Sequence, residues 1–494
     1  MARKISGKIV VEAKMEAQTP ISVGGIGPGD AVDLELARNG RDNWFIPGTG
    51  LMGALRARFG ACSELESLAD SMFGFQNEKN NTGHASYLIV DDAELTVPAG
   101  LDREIRDGIG INPQTGATDD GMKYTRAVLP RGTSFSLLLE LDLPKQPEDQ
   151  SKDESSIDSN NFVKALKWLL DGISQDGLQL GAAKTRGLGD VKALKINAVW
   201  YKFPNDMDLW LDNTRPLQDY KKVLPCDEVI YPWSHEKETL KTTIQWQPLS
   251  PVMVKSGTEG EIADMLPLVS GYASGEVTPV IPGSSIKGIL RSRAAKILRS
   301  VTKAELPEVD KEPDYILYEL FGSTKSAGRL TVHDVYQSEN KIDFGAWYDE
   351  DQDIMNRTTD HHDHVAIDRF TGGASDSALF NMRTPKREKK WDNITLHIDF
   401  SRPRTEIDLD EDKEPEELST LSKQQMIALL LLVLRDMEAG WVPLGFGSTR
   451  GLGDYKIQNI TLEGLYKGSL KEVLRDADLQ TAWNTFIKDN EVYK

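Results

Sequence analysis

Two cysteines, Cys62 and Cys226, are all that the 494 residues contain, and no CxxC pair occurs. A disulfide framework and a cysteine-built zinc site are thereby excluded. No apolar run approaches the ~20 residues of a membrane helix, and the opening MARKISGKIVVEAKMEA alternates like a strand, without the apolar centre of a signal peptide. The expectation is a cytoplasmic protein with no membrane partner. Positive charge is also in deficit. A formal net charge of -19 does not suit a protein that binds nucleic acid over its whole surface, although it leaves room for a local basic groove. The acid gathers in Glu148 to Asp158, Asp349 to Asp363 and Glu406 to Glu417, runs with the composition of solvated loops. Histidine is scarce as well: only His84 precedes His235, so the first half offers no histidine pair for a ribonuclease.

What is present is an ordinary globular composition, 39% hydrophobic and 27% charged, over a length sufficient for two or more domains. The sequence is built twice. Ile46 to Arg58, IPGTGLMGALRAR, has a partner in Ile281 to Arg293, IPGSSIKGILRSR. In each copy a Pro-Gly pair ends an extended run and opens an amphipathic helix with basic residues behind it. In the second copy Lys287 and Arg291 lie four apart on one face, opposite Ile286, Ile289 and Leu290. Free N–H groups and positive side chains at a helix start suit a phosphate. The alternative is a strand-turn-helix junction that needs Pro and Gly for its geometry alone.

The rest of the chain repeats in the same order. Residues 8 to 37 are expected as strand, loop, strand, with a Gly24 to Gly29 loop, and residues from Leu240 follow suit; Asp33 aligns with Asp264 and Gly48 with Gly283. Phe73-Gly74 and a strand ending at Asp91 and Asp92 match Phe321-Gly322 and a strand from Arg329 to Asp334. Ile111 to Ala117 matches Ile367 to Ala374, and each is followed by a polar or basic segment and a return strand, Ser134 to Leu141 or Ile394 to Phe400. A protruding hairpin is expected in each half, the second carrying Lys386, Arg387, Lys389 and Lys390. Amphipathic helices follow at Phe162 to Ile173 and Lys423 to Met437. Both halves close on Thr-Arg-Gly-Leu-Gly-Asp, residues 185–190 and 449–454, running into a strand.

These patterns predict an α+β fold of two tandem ferredoxin-like (βαββαβ) domains, each with an inserted hairpin. The first spans residues 1–200 and the second 237–494, with a Pro-, Trp- and Asp-rich connector at 201–236. A Gly-rich turn with one Lys or Arg can wrap a phosphate oxygen. Neither loop is a dinucleotide fingerprint, since its glycines precede a strand, and Ile289 stands where a P-loop needs Lys. The phosphate-contact set is therefore Gly48, Arg56, Lys184, Arg186, Gly187 and Gly189 in the first half. In the second half it is Gly283, Ser284, Ser285, Lys287, Arg291, Arg369, Gly447, Arg450, Gly451 and Gly453. Asp190 and Asp454 suit capping or an Arg partner, and the cluster Asp360 to His364, present in one half only, reads as solvated loop.

IPGSSIKG, the Phe-Gly after the helix, the Ile-Asp-Arg-x-Thr-Gly-Gly-Ala run and the terminal Gly-rich loop together resemble the RAMP superfamily of CRISPR systems. Over nearly the whole chain, twice, they resemble the backbone subunits of type III effector complexes, here two in one chain as in the type III-D double subunit. The resemblance implies an RNA-binding role, with guide RNA and target RNA as partners beside other type III effector subunits. It implies an RRM-like palm, a thumb hairpin wedged between nucleotides at about six-nucleotide spacing, and RNA-guided cleavage of target RNA. The enzyme so implied is a metal-dependent endoribonuclease using Mg2+ or Mn2+, and the aspartates that match its catalytic and metal-binding position are Asp33 and Asp264. The alternatives are a catalytically inert guide-RNA scaffold and a guide-RNA maturation endoribonuclease of the same superfamily.

Overall fold

A computed structural model describes residues 4–25, 32–60, 62, 65–77, 82–112, 115, 118–145, 159–224, 238–257, 260–302, 315–323, 326–401 and 419–490. Two of the three acidic runs, Glu148 to Asp158 and Glu406 to Glu417, lie outside the described residues, as do Cys226 and most of the Gly24 to Gly29 loop. The chain forms two compact units. The first comprises Met1–Pro98, Ala127–Ala182 and Gly189–Ser234; the second comprises Ala99–Arg126, Ala183–Leu188 and His235–Lys494. Two pieces of the first half, 99–126 and 183–188, thus fold with the second. Among the described residues no helix is long and apolar enough to cross a membrane.

In chain order the first half carries β1 (Ile5–Ala17), α1 (Gly48–Phe59), α2 (Glu66–Phe73) and β2 (Leu88–Val90), then β3 (Glu104–Ile111), β4 (Thr118–Val128), β5 (Ser134–Pro144), α3 (Ser159–Asp176) and β6 (Asp190–Lys202). Alternation makes β1 a half-buried strand: Ile9, Val11, Ala13, Met15 and Ala17 all point into the core. Helix α3 answers with Phe162, Ala165, Leu166, Leu169 and Ile173, one stripe at helical spacing. Strand β1 pairs antiparallel with β6 on one side and β5 on the other, and β5 pairs with β2. The order β6-β1-β5-β2 is the arrangement in which a strand inserts between the two strands of a β-α-β unit.

The second half repeats it with β7 (Thr239–Pro248), α4 (Gly283–Thr302), α5 (Tyr315–Phe321), β8 (Leu330–Val332), β9 (Thr359–Ile367), β10 (Ala374–Pro385), β11 (Ile394–Asp399), α6 (Thr420–Glu438) and β12 (Tyr455–Gly464). The sheet runs β12-β7-β11-β8, so both halves have the mixed α+β build consistent with ferredoxin-like domains. Ser419 caps α6, its hydroxyl accepting from the Ser422 amide. Helix Ala477–Asn490, which the periodicity argument did not single out, buries Leu479, Ala482 and Phe486.

The structure corrects several sequence expectations. Among the described residues of 18–38 there is no second regular strand, only isolated bridges such as Gly24 with Leu36. The stretch Asp349 to Asp363 is not an acidic loop: it holds helix Gln352–Thr358 and the start of β9. The His cluster therefore lies on a strand, where His362 meets the Thr384 hydroxyl and His364 stacks on Phe380. Alternation along the strand puts His362 and His364 on one face and His361 with Asp363, bonded at 2.9 Å, on the other, so the cluster does not converge on one centre. Residues 201–224 are not a bare connector. Tyr220 is buried, and Arg215 pairs with Asp206 and donates to the Trp200 carbonyl on the first unit's sheet.

Candidate nucleic-acid interface

Both IPG helices start on a carboxylate. The Gly48 amide donates to Asp92 Oδ1 at 2.7 Å, and the Gly283 amide donates to Asp334 Oδ1 at 2.8 Å. Each Asp sits just past the strand, β2 or β8, that follows the helix, so the fold brings a built-in anion to the positive helix end. The expectation of free amides there for an external phosphate is corrected at Gly48 and Gly283. Ser284 is exposed and Ser285 half-buried one step further in.

The basic helix residues are also used internally. Arg56 donates to the Gly74 carbonyl and pairs with Asp70 at 2.7 Å; its counterpart Arg291 donates to the Gly322 carbonyl. In both units the guanidinium ties off the end of the following helix, α2 or α5, where carbonyls lack amide partners. Arg58 reaches the carbonyls of Gly172 and Gly177, and Arg293 binds Asp436 beside Trp441. Lys287 is buried and donates to the Leu330 carbonyl at 2.7 Å. The amphipathic pattern was legible, but the side expected to face phosphate packs against the following segment.

The Gly-rich loops close on themselves. In each unit the amide of the second glycine donates to a proline carbonyl after the first strand, Gly189 to Pro20 and Gly453 to Pro251, both at 2.9 Å. Both glycines have positive φ, 87°, and a Cβ at either would collide with the carbonyl of Leu180 or Leu444. The aspartate that follows is capped through its amide by Thr19 or Ser250, and Asp190 accepts from Gln179. The short turns Lys184–Arg186 and Ser448–Arg450 reach the surface: Lys184 is half-buried and Arg186 exposed in the first, and Ser448, Thr449 and Arg450 are exposed in the second, with half-buried Gly447 before it and exposed Gly451 after it.

Asp33 and Asp264 hold equivalent places. Both are exposed. The residue after each accepts an amide from the base of the second hairpin strand: Ala127 to Leu34 in the first unit, Arg383 to Met265 in the second. Asp264 is further fixed by Asn381 on β10, whose amide N–H it accepts at 2.8 Å and whose side-chain oxygen takes its own amide at 2.9 Å.

A model of the RAMP superfamily matches residues 14–192 and again 247–456. The chain belongs to the RAMP superfamily. RAMP proteins are associated with CRISPR effector complexes and bind CRISPR RNA within them. No curated protein matches the sequence significantly.

In this RAMP chain several exposed cations lie on or beside the hairpins and Gly-rich turns of the second unit. Arg186 is exposed and donates to the Tyr124 hydroxyl at 3.2 Å, while the Arg126 guanidinium lies 5.9 Å from the Tyr124 ring. Burial holds the Arg126 guanidinium below its ordinary value; Tyr124 opposes this and the like charge of Arg186 adds to it. The two guanidinium groups thus share Tyr124 as a neighbour. Tyr124 and Arg126 were missed at the sequence level, although their two-residue spacing on a strand puts them on one face. Arg450 lies over the Phe446 ring, and a further cation stands at the tip of the β9–β10 hairpin. There Asp368 accepts the amides of Phe370 and Thr371 and the Thr371 hydroxyl, and these bonds lower its pKa. This self-bonded turn presents Arg369 and Phe370, the latter 99% exposed. Lys386, expected on the hairpin, directly follows β10 and pairs with Asp360 at 2.6 Å. Among the described residues no three His, Cys, Asp or Glu converge as a metal cage.

Proposed function

We propose that this RAMP protein is a double backbone subunit of a type III effector that holds guide RNA and cuts the paired target RNA at about six-nucleotide spacing. The observation that carries this reading is the duplicated placement of Asp33 and Asp264: each is an exposed carboxylate tied through its neighbour to the base of a hairpin. The target's own 2′-oxygen attacks the adjacent phosphorus, the 5′-oxygen of the next nucleotide leaves, and a cyclic phosphate remains. The aspartate takes the 2′-hydroxyl proton or holds a divalent ion. Mg2+ is often bound by one or two carboxylates with substrate phosphates and water completing its shell, so a single Asp at each site fits such an ion with RNA in place. The ion supplies charge stabilisation at the phosphate. Guide and target contacts fall to Arg186, Arg126 and Tyr124, to Arg450, and to Arg369 and Phe370. These meet backbone and base faces, so they bind without reading sequence.

Asp33→Ala is expected to abolish one target cut while guide and target binding persist, because the carboxylate acts in the transition state. Asp264→Ala should remove a second cut about six nucleotides away. Mapping end-labelled target with the assembled complex decides it. An unchanged ladder in both variants supports an inert scaffold, and the bonds from Asn381 to Asp264 favour that outcome in the second half first.

A further inference from the structure

The hairpin of β3 and β4 is a two-stranded ribbon, a structure that is marginal in water by itself. One face of β3 carries Ile105, Ile109 and Ile111 at 43%, 51% and 64% exposure, so apolar burial on that side does not hold it. The other face, within the second unit, packs two charges against the segment that begins at His235. Arg106 is 7% exposed; it pairs with Asp334 Oδ2 at 2.6 Å and donates to the Ser270 hydroxyl at 3.1 Å. Glu104 accepts the Gly271 amide at 2.6 Å and meets the same Ser270 hydroxyl at 3.0 Å. Burial opposes the charge on both. For Arg106, the carboxylates of Asp334 and Glu104 outweigh it and raise the guanidinium's pKa; for Glu104, burial prevails and its pKa rises.

The first unit supplies an internal control. Asp92 caps Gly48 as Asp334 caps Gly283, yet Asp92 is exposed while the Asp334 side chain is fully buried. Capping by Asp92 thus takes place at the surface, without the burial that Asp334 undergoes, so Arg106 is not explained by the cap. Asp334 also bears the turn of residues 183–188: a Cβ on Gly187 would collide with its Oδ1. One carboxylate therefore meets the α4 start, the first half's hairpin and the turn that displays Arg186.

We propose that Glu104 and Arg106 are positioning residues that lock the β3–β4 hairpin and the Lys184–Arg186 turn onto Asp334, fixing the hairpin's register against helix α4. Its consequence for RNA rests on the proposed function: the hairpin would hold its place along the guide, and the cut positions in the second half would stay sharp.

Hydrogen exchange on the full chain tests the lock directly. Arg106→Gln should lower amide protection across β3 and residues 183–188 by about a hundredfold or more, because a buried carboxylate loses its partner, while β7, β11 and β12 stay protected. Asp334→Asn keeps an oxygen for the Gly283 amide but removes the charge, so it should loosen the same two segments even if Arg106→Gln folds poorly. Arg106→Lys should fall between, since an ammonium cannot fork to Asp334 and Ser270 together. Unchanged protection in β3, or an equal loss in β7 and β11, overturns the proposal. In the assembled complex, Arg106→Gln should spread the second-half cuts over neighbouring nucleotides. If the wild type makes no cuts, the cleavage reading fails, whereas the exchange result still judges the lock.

Discussion

Replacing Lys287 separates structural cations from RNA-binding ones. Its ammonium is buried and donates to the Leu330 carbonyl, so it has no route to a phosphate in the folded chain. Lys287→Met keeps the length and unbranched shape of the side chain. The Leu330 carbonyl then loses a partner, at a cost of about 1–3 kcal/mol. Removing a buried ammonium relieves a desolvation penalty of several kcal/mol, so the two effects oppose and the net change in stability should lie within about 2 kcal/mol. For RNA affinity the expectation is sharper. Each neutralised phosphate on a single strand contributes a slope of about -0.7 in log affinity against log salt, which over a fourfold rise in salt is about 2.6-fold. Arg186→Ala should therefore flatten the slope by about 0.7 for one phosphate contact, whereas Lys287→Met should leave it unchanged. Fluorescence anisotropy with a labelled guide-length RNA, read from about 50 to about 200 mM salt, gives both slopes. If Lys287→Met flattens the slope as Arg186→Ala does, the buried side chain reaches RNA and the assignment of internal and external cations is wrong.

Two further outcomes follow from single residues. Phe370→Ala should weaken RNA binding by about 1–3 kcal/mol without changing the salt slope, because a fully exposed ring on a self-bonded turn offers stacking and no charge; equal affinity for wild type and variant refutes this. Gly453→Ala should destabilise the second unit by more than about 1 kcal/mol, since φ is 87° there and the new Cβ meets the Leu444 carbonyl; a denaturant midpoint equal to wild type would contradict it.

The duplication, the two long amphipathic helices, the inserted hairpins and the equivalence of Asp33 with Asp264 could all be read from the sequence. Each is a local pattern of period, turn residues or repeat order, and local backbone preferences suffice to express it. The assignment of charges could not be read in this way. Arg56, Lys287 and Arg291 match a phosphate-binding helix by spacing, yet they terminate on the carbonyls of Gly74, Leu330 and Gly322. Arg106 and Asp334 are separated by 228 positions, and no periodicity connects them. A cation stays open to an external anion only where the packed chain does not engage it with a carboxylate or carbonyl. That depends on which distant segments the two cores bring together, so only the tertiary structure decided that Arg186 and Arg450 face outward while their basic neighbours on the helices are spent within the fold.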